Sequence, residues 1–366
     1  MIPLFKVHIP ESVMEPLKGV LLSGYIGQGP KVDEFERQLV KWVGNPNCLT
    51  VNSGTSALHL ALRLAGAGPG TEIISTPMTC SATNTPIVDS KADIVWADIN
   101  PWDGAIDPSD VERKITPRTK AIMAVHWGGY PCDIDALIKI CIKYKVALIE
   151  DAAHAFGSTY KGRPIGNHSS YVCFSFQAIK VLTTVDGGLL VCPSVEDYRL
   201  GKLLRWYGID RETPRRDLRC ENDIVACGYK YHMNDVNAVI GIEQLKYVDK
   251  LIARQRDNAA FYDKSLNDLR RVKRLRYQPD RLSSYWLYTI RVDDRDSFQA
   301  HMAKNGIMVS QVHVRNDIHT VFRPYRRNLP GVDEFCTHQV SIPVGWWVTD
   351  EDRDKIVKAI SQWDAR

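Results

Sequence analysis

The feature that most limits what this 366-residue chain can fold into is a regular alternation that starts near Cys48. Short apolar runs at 48–51, 72–75, 92–96, 120–127 and 146–151 are separated by stretches at 57–64, 82–88, 109–114 and 134–144 whose apolar residues recur with the helical period. Two more strand-like runs flank Lys180, and a helical pattern at 195–206 closes the series. This is the sequence form of an α/β fold: a mostly parallel central sheet with helices on both faces. Such a sheet gathers its functional residues beyond the carboxyl ends of its strands, so the residues that end each apolar run are where chemistry is sought.

One of those runs, Phe174-Ser-Phe-Gln-Ala-Ile-Lys180, stops at a lysine, and Val181-Leu-Thr-Thr-Val-Asp-Gly-Gly188 sets that lysine on a glycine-closed turn. Apolar surroundings disfavour the ammonium, so a neutral amine that can attack a carbonyl and form a Schiff base becomes accessible near neutral pH. A lysine alone is better explained by snorkelling from a strand end into water. Asp151 changes the balance: Val146-Ala-Leu-Ile-Glu-Asp151 is a buried-strand run ending in a carboxylate, which is costly to bury without a cationic partner. Pyridoxal phosphate needs such a pair, a lysine for its aldehyde and an acid for its ring nitrogen. Val51-Asn-Ser-Gly-Thr-Ser-Ala57 adds a strand, a glycine turn and a helix start with hydroxyl side chains, which is a phosphate cradle.

Composition narrows the class. Hydrophobic residues at 44% and charged residues at 25% are ordinary for a globular protein, and a net charge of +4 gives little support to nucleic-acid binding. The 9 cysteines are scattered, mostly inside apolar runs, and read as reduced core thiols of a cytoplasmic protein. Met1-Ile-Pro-Leu-Phe lacks a signal peptide's basic start and long apolar core, and no stretch of 18 apolar residues occurs, so no membrane anchor is expected. Neither Cys-x-x-Cys nor His-Glu-x-x-His is present, and His126, Cys132 and His154 lack metal-site spacing, so no metal is expected. Gly24-Tyr-Ile-Gly-Gln-Gly-Pro30 fails as a dinucleotide fingerprint because no strand precedes it. The soft prior of about 150 residues per domain suggests two domains. We place them at 1–248, with an N-terminal arm, and at 249–366, where a long helix to about Leu266, strands at 286–292 and 307–312 and a helix at 297–304 suggest a smaller α+β domain. The basic stretch 199–219 reads either as a solvated loop or as a wall facing a substrate phosphate.

Asn52-Ser-Gly-Thr-Ser, Glu150-Asp-Ala-Ala-His154 and Phe174-Ser-Phe-Gln-Ala-Ile-Lys180 stand in the order found in the DegT/DnrJ/EryC1/StrS sugar aminotransferases, which the chain resembles from Leu22 to about His319. The resemblance implies the aspartate-aminotransferase-like fold type I of pyridoxal-phosphate enzymes. It implies that Lys180 carries the cofactor and shuttles protons, that Asp151 keeps the pyridine nitrogen protonated, and that His154 lies near the phenolic oxygen. Thr55, Ser56 and Ser175 match phosphate contacts, with Gly54 allowing close approach. Cys80 or Met78 stands where a ring-stacking aromatic is usual, and Lys230 where an asparagine reaches a partner subunit's phosphate. His313, Arg315 and His319 match a region that closes over the sugar, although Asp317-Ile replaces the usual Pro-Leu. A branch of the family carries histidine in place of the lysine and dehydrates its substrate; Lys180 argues against it. The implied activity is transfer of an amino group from L-glutamate to a keto sugar, with a nucleotide-linked keto-deoxysugar as the expected acceptor, in a homodimer with a shared site. The readings kept beside it are a free or singly phosphorylated keto acceptor, and a regulator with a vestigial cofactor site.

Overall fold

A computed structural model of the chain describes residues 1–168, 170–214, 217 and 223–365. The expected alternation folds into a seven-stranded sheet of β1 (Cys48–Val51), β2 (Glu72–Ser75), β3 (Asp93–Trp96), β4 (Thr119–Val125), β5 (Ala147–Asp151), β6 (Tyr171–Ser175) and β7 (Gly188–Val191), in the order β1-β7-β6-β5-β4-β2-β3. From β6 to β3 every pair is parallel, whereas β7 runs antiparallel to both its neighbours. The six other strands therefore point the same way, and the residues that follow β1, β2, β4, β5 and β6 emerge on one edge. Gly188 opens β7 on that edge, in register with Val51 on one side and Ser175 on the other.

The helices follow from local chemistry. α1 (Met14–Leu22) belongs to the arm, and α2 (Pro30–Val43) starts with proline in its first turn, where no helical N–H is needed, and stops at Gly44 with φ 69°. Its Val32, Phe35, Leu39 and Val43, spaced by three and four residues, are all buried in the main core. Each such side chain contributes about 1.5–3 kcal/mol of transfer free energy. α3 (Gly54–Leu64) is capped by Ser53, whose Oγ accepts from Ser56 N–H at 3.0 Å. α4 (Ser81–Asp89), α5 (Pro108–Arg113), α6 (Ile134–Tyr144), α7 (Val195–Arg205) and α8 (Asp235–Leu245) complete the layers around the sheet.

α9 (Val248–Ser265) links two apolar clusters: Val248 and Ile252 pack in the main core, Ala259 and Tyr262 in a second one. The second cluster covers an antiparallel sheet of β8 (Val272–Arg274), β9 (Tyr288–Val292) and β10 (Gln339–Ile342), packed with α10 (Arg295–Lys304) and α11 (Asp350–Asp364). Ile2 is buried in it too, so the N-terminal arm packs beyond the first 248 residues.

Three sequence expectations change here. The run 286–292 becomes strand only from Tyr288, because Tyr285 takes a left-handed φ of 52° and turns Trp286 away from the ladder. The run 307–312 forms no strand; it makes isolated bridges at Ile307 and Ser310, and Val312 at φ 63° ends the extended path. β6 ends at Ser175, so Lys180 sits in the turn beyond it and not at the strand end itself. Among the described residues no helix is long and apolar enough to cross a membrane.

Candidate active site

Lys180 is held by a closed turn. Phe176 N–H donates to Gly187 O at 2.8 Å, Thr184 N–H to Phe176 O at 2.9 Å, and Lys180 N–H to Gln177 O at 2.9 Å. The turn also contains Val185, a β-branched residue at φ 71°, a strained conformation held by the surrounding bonds. Burial pulls the Lys180 ammonium down to about 8, against the opposing influence of Asp151 and Cys80. Its Nζ lies 3.6 Å from the centroid of the Trp286 ring.

Asp151 ends β5, adjacent to β6 in the sheet, and is buried. Its Oδ2 accepts from Thr83 Oγ1 at 2.7 Å and its Oδ1 from Ala153 N–H at 3.1 Å. Thr83 is in turn 2.8 Å from Thr79 Oγ1. Burial raises the Asp151 carboxyl above its ordinary range, while Thr83, Ala153, Lys180 and His126 pull it back. Behind it, His126 Nδ1 accepts from Cys132 N–H at 3.1 Å, which leaves Nε2 to donate to the wholly buried Glu150 at 2.9 Å.

His154 stacks on Trp286 with ring centroids 3.9 Å apart, and His313 lies parallel to His154 at 5.6 Å. Trp127 meets both histidines edge to face. Burial, and then the Lys180 charge, push His154 well below the usual histidine range and His313 to about 4, so both are neutral near pH 7. His154 Nδ1 and His313 Nε2 are buried without a hydrogen-bond partner.

The cradle lies on the same edge. A Cβ on Gly54 would come within 2.8 Å of Ser175 Cβ, and one on Gly188 within 2.5 Å of the Ser53 carbonyl carbon, so both positions require glycine. Gly54 and Thr55 occupy the first turn of α3, where backbone N–H groups precede the helical ladder. The Ser56 hydroxyl donates to Asn52 Oδ1 at 2.6 Å and therefore supports the cap in this conformation. Cys80 occupies the N-cap position of α4, without a side-chain capping bond, and is partly buried.

Of the sequence-derived residues, the structure gathers Lys180, Asp151, Cys80, His154 and His313 into one group and sets Gly54, Thr55, Ser56 and Ser175 along the neighbouring edge. Arg315 is buried and paired with Asp317, 2.5 Å from Nε, and with Asp333, while His319 is exposed. Lys230 is exposed, its carbonyl accepting from Asn52 Nδ2 at 3.2 Å just ahead of the cradle. In the basic stretch, Lys202 pairs with Glu212 and Arg205 with Glu36 at 2.7 Å; Arg215, Arg216 and Arg219 lie outside the described residues. A cavity of about 570 Å³, bordered by Asp33, Tyr198, Lys202 and Trp206, does not include Lys180. Sequence reading missed Trp286, Thr83, Trp127 and Asn316. Asn316 ties the His313 loop to the site, donating to Thr79 O at 2.8 Å and accepting from Asn84 Nδ2 at 2.7 Å. Only Thr83 carried a signal, one helical turn beyond the Cys80 cap.

The residues fit pyridoxal phosphate on three counts: an amine near its reactive form, a buried carboxylate within its field, and a glycine-walled helix start. Comparisons agree. CalS13 of Micromonospora echinospora, a sugar aminotransferase, is 39% identical, with 99% of this chain and 100% of that one covered at a TM-score of 0.95. Spr1654 of Streptococcus pneumoniae, solved in its PLP form, is 29% identical, covering 100% and 98%, with a TM-score of 0.91. SpsC of Bacillus subtilis, a spore coat polysaccharide biosynthesis protein, is 30% identical over 98% of this chain and 95% of its own. The sequence profile of the DegT/DnrJ/EryC1/StrS aminotransferase family matches residues 8–361, so the chain belongs to that family and is an aminotransferase.

Proposed function

We propose that the protein transfers an amino group from L-glutamate to a keto sugar, with a nucleotide-linked keto-deoxysugar as the acceptor, in the synthesis of a surface polysaccharide or a sugar-bearing metabolite. The observation that carries this reading is the convergence of the Lys180 amine and the buried Asp151 carboxylate on one sheet edge, each within the other's field. Bound pyridoxal phosphate supplies an aldehyde and an electron-withdrawing ring. Toward it Lys180 would provide the nucleophile and then the group that moves a proton, Asp151 would hold the ring nitrogen, and His154 would lie near the phenolic oxygen. The first turn of α3, with Thr55, Ser56 and Ser175, would take the phosphate. SpsC supports the polysaccharide assignment and CalS13 the sugar. A free or singly phosphorylated keto compound is the competing acceptor. The test is a two-stage assay: conversion of L-glutamate to 2-oxoglutarate by the cofactor-loaded protein, then mass spectrometry of products from nucleotide-linked, phosphorylated and free keto sugars. An aminated product from free sugars alone would overturn the nucleotide assignment, and no half-reaction with any amino acid would overturn the enzyme reading of this site.

Two further parts of the proposal concern organisation. The division into 1–248 and 249–366 is supported by the second apolar cluster, whose residues other than Ile2 lie at 259 and beyond, while Leu275, Trp286 and Phe335 of the second part pack in the main core; a cytoplasmic location is supported by the free thiols. A homodimer is supported by an exposed apolar patch: Leu21, Leu22, Tyr25 and Ile26 are each more than half exposed at the end of α1. Lys230, also exposed, is proposed to reach the partner's phosphate. Mixing Lys180→Ala with Lys230→Ala subunits tests this. If Lys230 acts across the interface, each mixed dimer has one site with both lesions and one with neither, so about half of a wild-type dimer's activity should return. No recovery would place Lys230 in its own subunit's site.

A further inference from the structure

We infer that Trp286 is the positioning residue for the free amine of Lys180: its ring face holds the ammonium while its indole N–H holds the backbone carbonyl just before it. This rests on reading Lys180 as the residue that captures the cofactor. Two attachments converge on one side chain. The Lys180 Nζ lies 3.6 Å from the ring centroid, and Trp286 Nε1 donates to Ile179 O at 2.9 Å. The indole thus fixes the main chain at residue 179 and the amine at residue 180 together.

The indole is itself immobilised. It is 5% exposed, stacks on His154, and packs against Phe5 of the N-terminal arm with centroids 5.2 Å apart. Leu287 N–H, next in the chain, donates to Gly128 O at 3.1 Å, which pins the segment to the turn after β4. That turn is close-packed: a Cβ on Gly129 would meet His154 O at 2.8 Å.

A cation over an indole face gains more than over any other aromatic ring, and more again when water is excluded. Burial works the opposite way and disfavours the ammonium. The groups around the amine are Asp151 from β5, Cys80 at the start of α4, His154 and His313, with Lys6 and His8 of the arm lining the small cavity beside it. Asp151 and Cys80 favour the charged amine, and the two histidines are kept neutral beside it. Trp286 adds an attraction that acts only on the charged form and comes from a ring that does not itself titrate. When the proton leaves, the attraction lapses and the amine is free to turn toward a carbonyl. Trp286 therefore helps set the pH at which Lys180 becomes reactive.

The experiment is competitive trace acetylation of full-length protein stripped of cofactor, between pH 6 and 11, read by mass spectrometry on the Lys180 peptide with Lys161 as internal reference. The wild type should show a midpoint near 8. Trp286→Leu should lower it by about 1.5 pH units, the size of a desolvated cation–π contact, and Trp286→Phe by less because a weaker face remains. A Trp286→Leu midpoint equal to the wild type would overturn the inference. Should that variant fail to fold, a Trp286→Phe midpoint no lower than the wild type overturns it instead. Borohydride labelling of the loaded wild type separates the two levels. A label absent from Lys180 refutes the site reading, whereas a correct label with unmoved midpoints refutes only the role of Trp286.

Discussion

Lys180→Ala should abolish the protein-bound chromophore and reduce amino transfer by at least about 10³-fold, since it removes both the nucleophile and the proton carrier, the latter alone worth about 10²–10⁴. Borohydride treatment of the wild type should fix the cofactor's mass on the Lys180 peptide and on no other. The nearest competitors by sequence are poor nucleophiles in this fold: Lys161 is paired with Asp135 at 2.5 Å, and Lys202 with Glu212. Label on either would refute the assignment. Lys180→Arg is the sharper control, because it keeps a cation for Trp286 to hold yet stays protonated at any working pH. It should be as inactive as the alanine variant. With Lys180 near 8, the free-amine fraction is about a tenth at pH 7 and about nine-tenths at pH 9. The rate at which stripped protein recaptures the cofactor should therefore rise with pH and level off above about pH 9. A flat profile from pH 6 to 10 would show that the amine is not the titrating group.

What made this site readable from sequence was its dependence on strand ends. Asp151, Ser175 and Gly54 each lie where an apolar run stops, and the sheet's parallel order brings those stops to one edge. The helical period at 134–144 likewise located α6 to the residue, and the structure adds Asp133 as its N-cap. Trp286 was not readable. It acts through a left-handed Tyr285 and a close-packed Gly128-Gly129 turn about 160 residues away, and neither leaves a local pattern. The partners of Arg315 were hidden for a related reason: from sequence it is a cation near a loop, and only the fold shows Asp317 and Asp333 closing on it. The antiparallel setting of β7 was equally hidden, since hairpin-like and crossover returns leave similar apolar runs.

Asp151→Asn should keep the cofactor bound and lose most turnover. The side chain has the same shape, and its carbonyl can still accept from Thr83 or Ala153, so the pocket is preserved. Only the charge goes. A charge-assisted hydrogen bond to the ring nitrogen is worth about 1.5–3 kcal/mol in a resting complex, a factor of roughly 10–150, and more where negative charge develops on the ring. The expected loss is therefore about 10²-fold or greater in kcat, with the phosphate and Lys180 attachments still retaining the cofactor. Stability separates this from a folding defect. Burial holds the Asp151 carboxyl above its ordinary range, so in the cofactor-free protein the charged form is penalised by folding and stability rises as pH falls toward protonation. Replacing it by a neutral amide should leave the cofactor-free protein as stable as the wild type or more so, within about 1 kcal/mol at neutral pH. A second signature follows from the mutual field: Asp151 favours the Lys180 ammonium, so its removal should carry the Lys180 midpoint below 8. Near-normal transfer by Asp151→Asn would show that the ring nitrogen is held by another group; lost turnover with an unmoved Lys180 midpoint would show that the two side chains do not share a field.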